Sequence, residues 1–270
     1  MGRVEPTIKG KIYKVVIVFG TRPEAIKMAP VIKAFSTCNS VECKVIVTGQ
    51  HREMLDQVLE LFKIVPQYDL NLMKHGQTLS ELTSGILQGV EKILEVEKPD
   101  MVLVQGDTTT TFAAALAAFY QKITVGHIEA GLRTGNKYSP WPEEINRKLS
   151  GVLADLHFAP TGVARNNLLN DGVLSNKIYV TGNTVIDALV STVKDEYIFR
   201  NEELKNILEE NKNRRMIMIT AHRRENWGES MRQIFEGIRT ILDEYEDTYI
   251  IFPVHKNPIV RGTVNKILGG

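Results

Sequence analysis

Apolar residues along this chain fall into two interleaved patterns. Short runs rich in Val and Ile recur at 14–20 (KVVIVFG), 44–49 (KVIVTG), 100–106 (DMVLVQG), 123–130 (ITVGHIEA), 156–160 (LHFAP), 177–182 (KIYVTG), 216–222 (MIMITAH) and 249–255 (YIIFPVH). Apolar and polar positions barely alternate within them, which marks strands covered on both faces, as in a parallel sheet. Helical patterns lie between the runs. PEAIKMAPVIKAF opens with Pro and Glu, both favoured at a helix start. TLSELTSGILQGVEKILEVEK spaces its apolar residues at helical period, and TTTTFAAALAAFY is small and apolar, as a helix pressed onto a sheet must be. This alternation predicts a doubly wound α/β fold. The weakest join is near residue 182, where VTGN leads into a helix and the polar segment RNEELKNILEENKNRR. It divides the chain into an expected first domain, 1–182, and a second, 183–270. The second has only two convincing strands and is expected to be an incomplete half of such a fold at residue 270.

Bulk composition changes this picture little. The 270 residues are 43% hydrophobic and 24% charged, with a net charge of +1. That balance gives no electrostatic case for nucleic acid or an anionic membrane as partner. Cys38 and Cys43 lack metal-type spacing and fit a reduced, cytoplasmic compartment. No run approaches the length of a membrane span, and the N-terminus lacks the apolar core of a signal peptide. The histidines are scattered without ligand spacing, so no metal is expected.

Ligands of open α/β sheets sit beyond the carboxyl ends of the strands. Here those ends carry Thr21-Arg22-Pro23-Glu24, Gln50-His51-Arg52, Asp107-Thr108-Thr109, His127 and Glu129, Asn183-Thr184, His222-Arg223-Arg224-Glu225 and His255-Lys256-Asn257. Their convergence on one sheet edge is the expectation. Each has a plainer alternative. FGTRPEAIK is either an anion site at a helix N-terminus, with Arg22 and Lys27 beside it, or a Gly turn with surface cations. Asp107 is an N-cap, an acid–base carboxylate, or both. WPEEINR reads by itself as an ordinary helix start with a Glu143–Arg147 surface pair at i, i+4, although the Gly- and Pro-punctuated loop from Glu129 leads into it. TAHRRENWG is a basic surface patch or a diphosphate site. His75 and His157 read as structural. GxGxxG, Walker-lysine and GxSxG motifs are absent from these turns. Three carboxylates (Asp107, Glu129, Glu143) with a ring of cations (Arg22, Lys27, Arg147, His222, Arg223) suggest proton transfer beside an anionic leaving group. The residues by themselves point to an α/β enzyme for a phosphorylated or nucleotide-linked small molecule.

VFGTRPEAIKMAPVI, VTGQHREMLDQVL, QGDTTTTFAAALAAFY, VGHIEAGLRTGNKYSPWPEEINR, VTGNTVIDAL, HRREN and PVHKNP, in this order from about Lys14 to Gly270, closely resemble the non-hydrolysing UDP-N-acetylglucosamine 2-epimerases. The resemblance implies a glycosyltransferase-B-like fold of two Rossmann-like domains with the active site in their cleft, and a homodimer. It implies interconversion of UDP-GlcNAc and UDP-ManNAc, without NAD or another cofactor, in the supply of cell-surface polysaccharide precursors. Within that mechanism the proton on sugar carbon 2 is lost as UDP departs by anti elimination. The resulting 2-acetamidoglucal then takes UDP and a proton back on the other face. By resemblance Asp107, Glu129 and Glu143 are the acid–base carboxylates and His222 joins the catalytic set. Arg22, Lys27, Arg147, Arg223 and Asn183 would hold the sugar nucleotide and its departing diphosphate, while Glu144 keeps its helix-start reading. Gln50 and His51 match a turn where some bacterial members bind a second UDP-GlcNAc as activator, with Glu53 and Gly76 departing from that pattern. Family members continue into a Ser-Gly-Gly-x-Gln-Glu-Glu segment and a later Arg that hold the uridine diphosphate, and neither precedes Gly270 here. Hydrolysis to ManNAc and UDP, glycosyl transfer, or sugar-nucleotide binding or dimerisation without turnover are the competing expectations.

Overall fold

The computed structural model describes residues 10–49, 52–72, 74, 76–194, 196–223 and 226–269, without the side chains of residues 52–54. The chain forms two compact units that divide between Val193 and Lys194. The sequence put the join earlier, near 182. The reason is α7 (Thr184–Thr192), which packs on α1 (Arg22–Ser36) and so stays with the first unit.

The first unit is a parallel seven-stranded sheet. Its strands are β1 (Tyr13–Phe19), β2 (Val41–Val47), β3 (Tyr68–Asp69), β4 (Met101–Gln105), β5 (Thr124–Ile128), β6 (Leu156–Ala159) and β7 (Ile178–Val180), in the order β3-β2-β1-β4-β5-β6-β7. The order reverses direction between β1 and β4, which opens a crevice at their carboxyl ends. β3 went unseen in the sequence: it is two residues long, paired through Ile46 and Val47 of β2. Both faces of the sheet are covered, and successive side chains of β1 separate accordingly. Val16 and Val18 join a core with α3 (Leu79–Glu97) and α4 (Thr109–Tyr120), while Ile17 and Phe19 join Ala25, Met28 and Ala29 of α1 and Leu55 and Val58 of α2 (Arg52–Phe62). Ala113, Ala114, Ala115, Ala117 and Ala118 of α4 are all buried, wedged where only small side chains fit. α5 (Glu143–Leu153) and α6 (Gly162–Asn170) complete this unit.

The second unit pairs β8 (Arg215–Met218) with β9 (Thr248–Ile251) in parallel and adds α8 (Glu202–Glu210), α9 (Glu229–Glu244) and α10 (Pro258–Leu268). Met231, Phe235 and Ile238 of α9 and Val260 and Val264 of α10 make its core against Ile250 and Phe252. Met216 and Met218 remain exposed. The polar strand ends are therefore shared between two sheets: those of β1, β2, β4, β5 and β7 belong to the first, and His222 and His255 follow β8 and β9 of the second. Among the described residues no helix is long and apolar enough to cross a membrane.

Candidate active site

At the switch point the chain after β1 leaves no room for a side chain. A Cβ on Gly20 would stand 2.1 Å from Thr48 Oγ1 and 2.5 Å from Thr110 Oγ1. The turn closes on Glu24, a buried carboxylate of the first turn of α1. Glu24 accepts from the amides of Gly20 (3.0 Å) and Thr21 (2.7 Å) and from the hydroxyls of Thr108 (2.6 Å) and Thr111 (3.2 Å). Burial pushes its pKa up, against the pull of these donors. An anion seated at this turn is the chain's own Glu24, which takes the amides of Gly20 and Thr21. Arg22, on the same turn, is exposed and makes no ion pair among the described residues.

Glu129 stands just past β5 with its backbone in the left-handed region, φ 63°. Three elements supply its partners. Lys27 Nζ from α1 reaches both carboxylate oxygens at 2.7 and 2.6 Å, Gln105 Nε2 from β4 donates at 2.5 Å, and Asn183 Nδ2, at the N-cap of α7, donates at 2.9 Å. Gly106, just before Asp107, has φ 76°, a left-handed backbone that favours glycine, and Glu129 Oε2 lies at ordinary contact distance, 3.8 Å, from its would-be Cβ. Beneath it, buried His127 bonds through Nε2 to the Gly106 carbonyl at 2.7 Å. Burial holds His127 down at about 4, with the carbonyl opposing the shift. The ring is therefore neutral near pH 7 and donates that bond.

Asp107 does not cap α4. Thr108 does, accepting from the Thr111 amide, which leaves the Asp107 side chain free for another partner. That partner is Arg147, whose Nε (2.9 Å) and Nη2 (2.7 Å) both hold Asp107 Oδ2. Asn146 Nδ2, one residue earlier on α5, donates to the Asp107 carbonyl at 2.9 Å. The remaining edge of the guanidinium goes to Glu144, Nη1 to Oε2 at 3.0 Å. The pKa of Arg147 is raised: burial works against its charge, and Asp107 and Glu144 outweigh it.

The expected Glu143–Arg147 surface pair does not form; the arginine pairs one residue later in the sequence, at i, i+3. Glu143 opens α5 and carries a buried Oε2 with no partner among the described residues. Glu144, read from sequence as helix-start chemistry, is fully buried. Sequence reasoning also passed over Gln105, and named Glu24 among the strand ends without giving it a role. Glu24 was legible as a capping box, since Thr21-x-x-Glu24 has the required spacing. Gln105 had a weaker signal, as the one polar residue closing the run MVLVQ.

In the second unit His222 and His255 stack with ring centroids 5.3 Å apart. Both are exposed, as is Arg223. Asn257 caps α10, its Oδ1 accepting from the Ile259 amide at 2.9 Å, and its own amide donates to His255 Nδ1 at 3.1 Å. Gln50, His51, His75, Arg224 and Glu225 lie outside the described residues. Among the described residues no group of three or more His, Cys, Asp or Glu is arranged to hold a metal ion.

The doubly wound sheet, with ion-paired carboxylates gathered at its switch point, has the layout of an α/β enzyme. The profile of the UDP-N-acetylglucosamine 2-epimerase family matches residues 33–270. The UDP-N-acetylglucosamine 2-epimerase of Bacillus subtilis is 54% identical over 259 residues, 96% of this chain and 67% of that protein. The crystal structure of UDP-GlcNAc 2-epimerase from Neisseria meningitidis bound to UDP-GlcNAc is 52% identical and superposes with a TM-score of 0.81, over 95% of this chain and 70% of that one. A lipopolysaccharide outer core galactosyltransferase, 11% identical, shares the fold alone, with a TM-score of 0.54 over 94% of this chain and 71% of its own. The chain belongs to the UDP-N-acetylglucosamine 2-epimerase family and spans about two thirds of the length of such relatives.

Proposed function

We propose that this protein interconverts UDP-GlcNAc and UDP-ManNAc by elimination and re-addition of UDP. The observation that carries the reading is the pair of clamped carboxylates at neighbouring strand ends, Glu129 under Lys27 and Asp107 under Arg147. Glu143, on the same helix as Arg147, carries a buried oxygen that no donor among the described residues uses. A relative crystallised with UDP-GlcNAc supports the substrate.

In the proposed cycle a carboxylate takes the proton from sugar carbon 2. The C2–H electron pair becomes the C1=C2 double bond, and the C1–O bond breaks toward UDP. The steps then reverse with proton delivery to the opposite face, so no oxidant or reductant is consumed. Asp107, Glu129 and Glu143 share the base and acid roles. Lys27 orients Glu129; Arg22 and Asn183 meet the sugar nucleotide, and by the family resemblance His222 and Arg223 are assigned to its diphosphate. Arg147 serves this centre through Asp107.

The test is incubation with UDP-GlcNAc in deuterium oxide, followed by mass spectrometry and NMR. Deuterium at carbon 2 and appearance of UDP-ManNAc are the expected result. Absence of exchange rejects the reading. Free ManNAc as the main product would instead make the protein a hydrolysing epimerase, and calorimetric binding without turnover a sugar-nucleotide binder. We further read it as a cytoplasmic homodimer, supported by exposed Phe119 and Tyr120 on α4 beside exposed Ile145, Leu149 and Val152 on α5; light scattering after gel filtration tests the assembly.

A further inference from the structure

We propose that Glu144 is a positioning residue of the reaction, a carboxylate sealed from substrate that fixes the loop between Glu129 and Glu143 and, through Arg147, the side chain of Asp107. The proposal rests on the epimerase reading.

Both oxygens of Glu144 are held by protein donors. Oε1 accepts the Gly135 amide at 3.2 Å; Oε2 accepts the Thr134 amide at 3.1 Å and Arg147 Nη1 at 3.0 Å. With no solvent exposure, the group cannot reach a sugar. Its position joins all three candidate acid–base carboxylates. The loop it grips leaves β5 directly after Glu129. Thr134 Oγ1 then ties that loop to the Ser139 carbonyl at 2.7 Å, and the Ser139 amide donates to the Asn136 carbonyl at 3.0 Å. The same loop delivers Glu143 to the start of α5, one residue before Glu144 itself. Arg147, held on its far edge, presents Nε and Nη2 to Asp107. A buried charge of this kind adds little net stability compared with an apolar replacement, while loss of one partner is costly. Its use here is geometric. Burial would raise the pKa of Glu144, but the amides of Thr134 and Gly135 together with Arg147 hold it below the usual carboxylate range. It stays charged while the working carboxylates exchange protons, a fixed reference among groups that titrate.

The test compares Glu144→Gln, Glu144→Asp and the control Glu97→Gln, which removes a different part-buried carboxylate, bonded to Lys14 and Tyr68 below the amino ends of the strands. In Glu144→Gln, kcat for carbon-2 exchange is expected to fall on the order of a hundredfold, the scale of an ångström misplacement. KM for UDP-GlcNAc should stay within about threefold. Hydrogen exchange at the Thr134 and Gly135 amides should accelerate. Glu144→Asp, which keeps the charge and shortens the reach, should give an intermediate kcat and covers the case in which the glutamine variant fails to fold. Glu97→Gln should lower the melting temperature and leave kcat unchanged. Wild-type kcat in Glu144→Gln, wild-type exchange rates at both amides, or a rise in KM in place of the fall in kcat would each overturn the proposal. A wild-type protein that exchanges no deuterium at carbon 2 refutes the epimerase reading separately; the amide rates then still decide whether Glu144 holds the loop.

Discussion

The two units solve the same βα problem to different degrees. In the first, β1 runs through fully buried Val16, Ile17, Val18 and Phe19, with helices on both sides. In the second, β8 leaves Met216 and Met218 in solvent, and only one face of its strand pair has a core. Their polar strand ends differ in parallel. Lys27, Glu129, Asp107 and Arg147 of the first unit are locked in ion pairs, whereas His222 and Arg223 of the second are exposed. A rigid, doubly covered sheet can hold a carboxylate to within a fraction of an ångström, which proton transfer requires. Loosely held cations suit the capture of a flexible diphosphate.

The sharpest way to break this contrast is at Glu129. Glu129→Gln keeps the size of the side chain and strips Lys27 of its counter-charge. Under the proposed function, carbon-2 exchange should fall about a thousandfold or more, within the usual range for loss of an acid–base group. UDP affinity measured by calorimetry should change far less, because the diphosphate contacts are assigned elsewhere. A smaller effect separates the two cores. Phe19→Ala should cost roughly 3–5 kcal/mol in denaturant unfolding of the first unit. Met218→Ala, at a position 70% exposed, should cost about 0.5 kcal/mol or less. Equal costs would mean that the second unit's sheet is covered in solution.

The third prediction concerns acid. His127 has its pKa lowered from 6.5 to about 4, so the folded state prefers the neutral ring. Its contribution is fully present above pH 6.5 and is lost as pH falls from there through about 4, where the unfolded chain binds the extra proton. Over that window it amounts to about 3 kcal/mol at most. Glu144, whose pKa is also lowered, adds acid sensitivity below the ordinary glutamate range. Replacing His127 with Gln should flatten the stability–pH slope between pH 6.5 and 4, measured by urea titration, and an unchanged slope would count against the buried neutral imidazole.

Much of the strand and helix pattern could be read from the chain because double burial leaves an unbroken apolar run, and every such run proved to be a strand. The two-residue β3 could not, since Tyr68 and Asp69 form no run and pair only because β2 already stands beside them. The site was legible as an inventory of ionisable strand ends and less so as a set of pairings. Glu143 and Glu144 look alike in WPEEINR, yet one carries an unused buried oxygen and the other binds two amides and a guanidinium. The difference comes from a loop folding back from residues 134 and 135, a contact no local spacing encodes. The compact units divide some way after residue 182, between Val193 and Lys194, for a similar reason. Gly182 looks like a terminus, but α7 returns its weight to α1.

The left-handed backbone at Glu129 has an evolutionary consequence. A side chain other than glycine, asparagine or aspartate held there gives up about 1–2 kcal/mol. Glycine at 129 would release that strain but strand Lys27, Gln105 and Asn183 without their acceptor, a larger loss, so a selection for heat resistance is expected to leave the position alone. The carboxylate that the proposed mechanism uses is thus kept, by its partners, on a backbone geometry that suits it poorly.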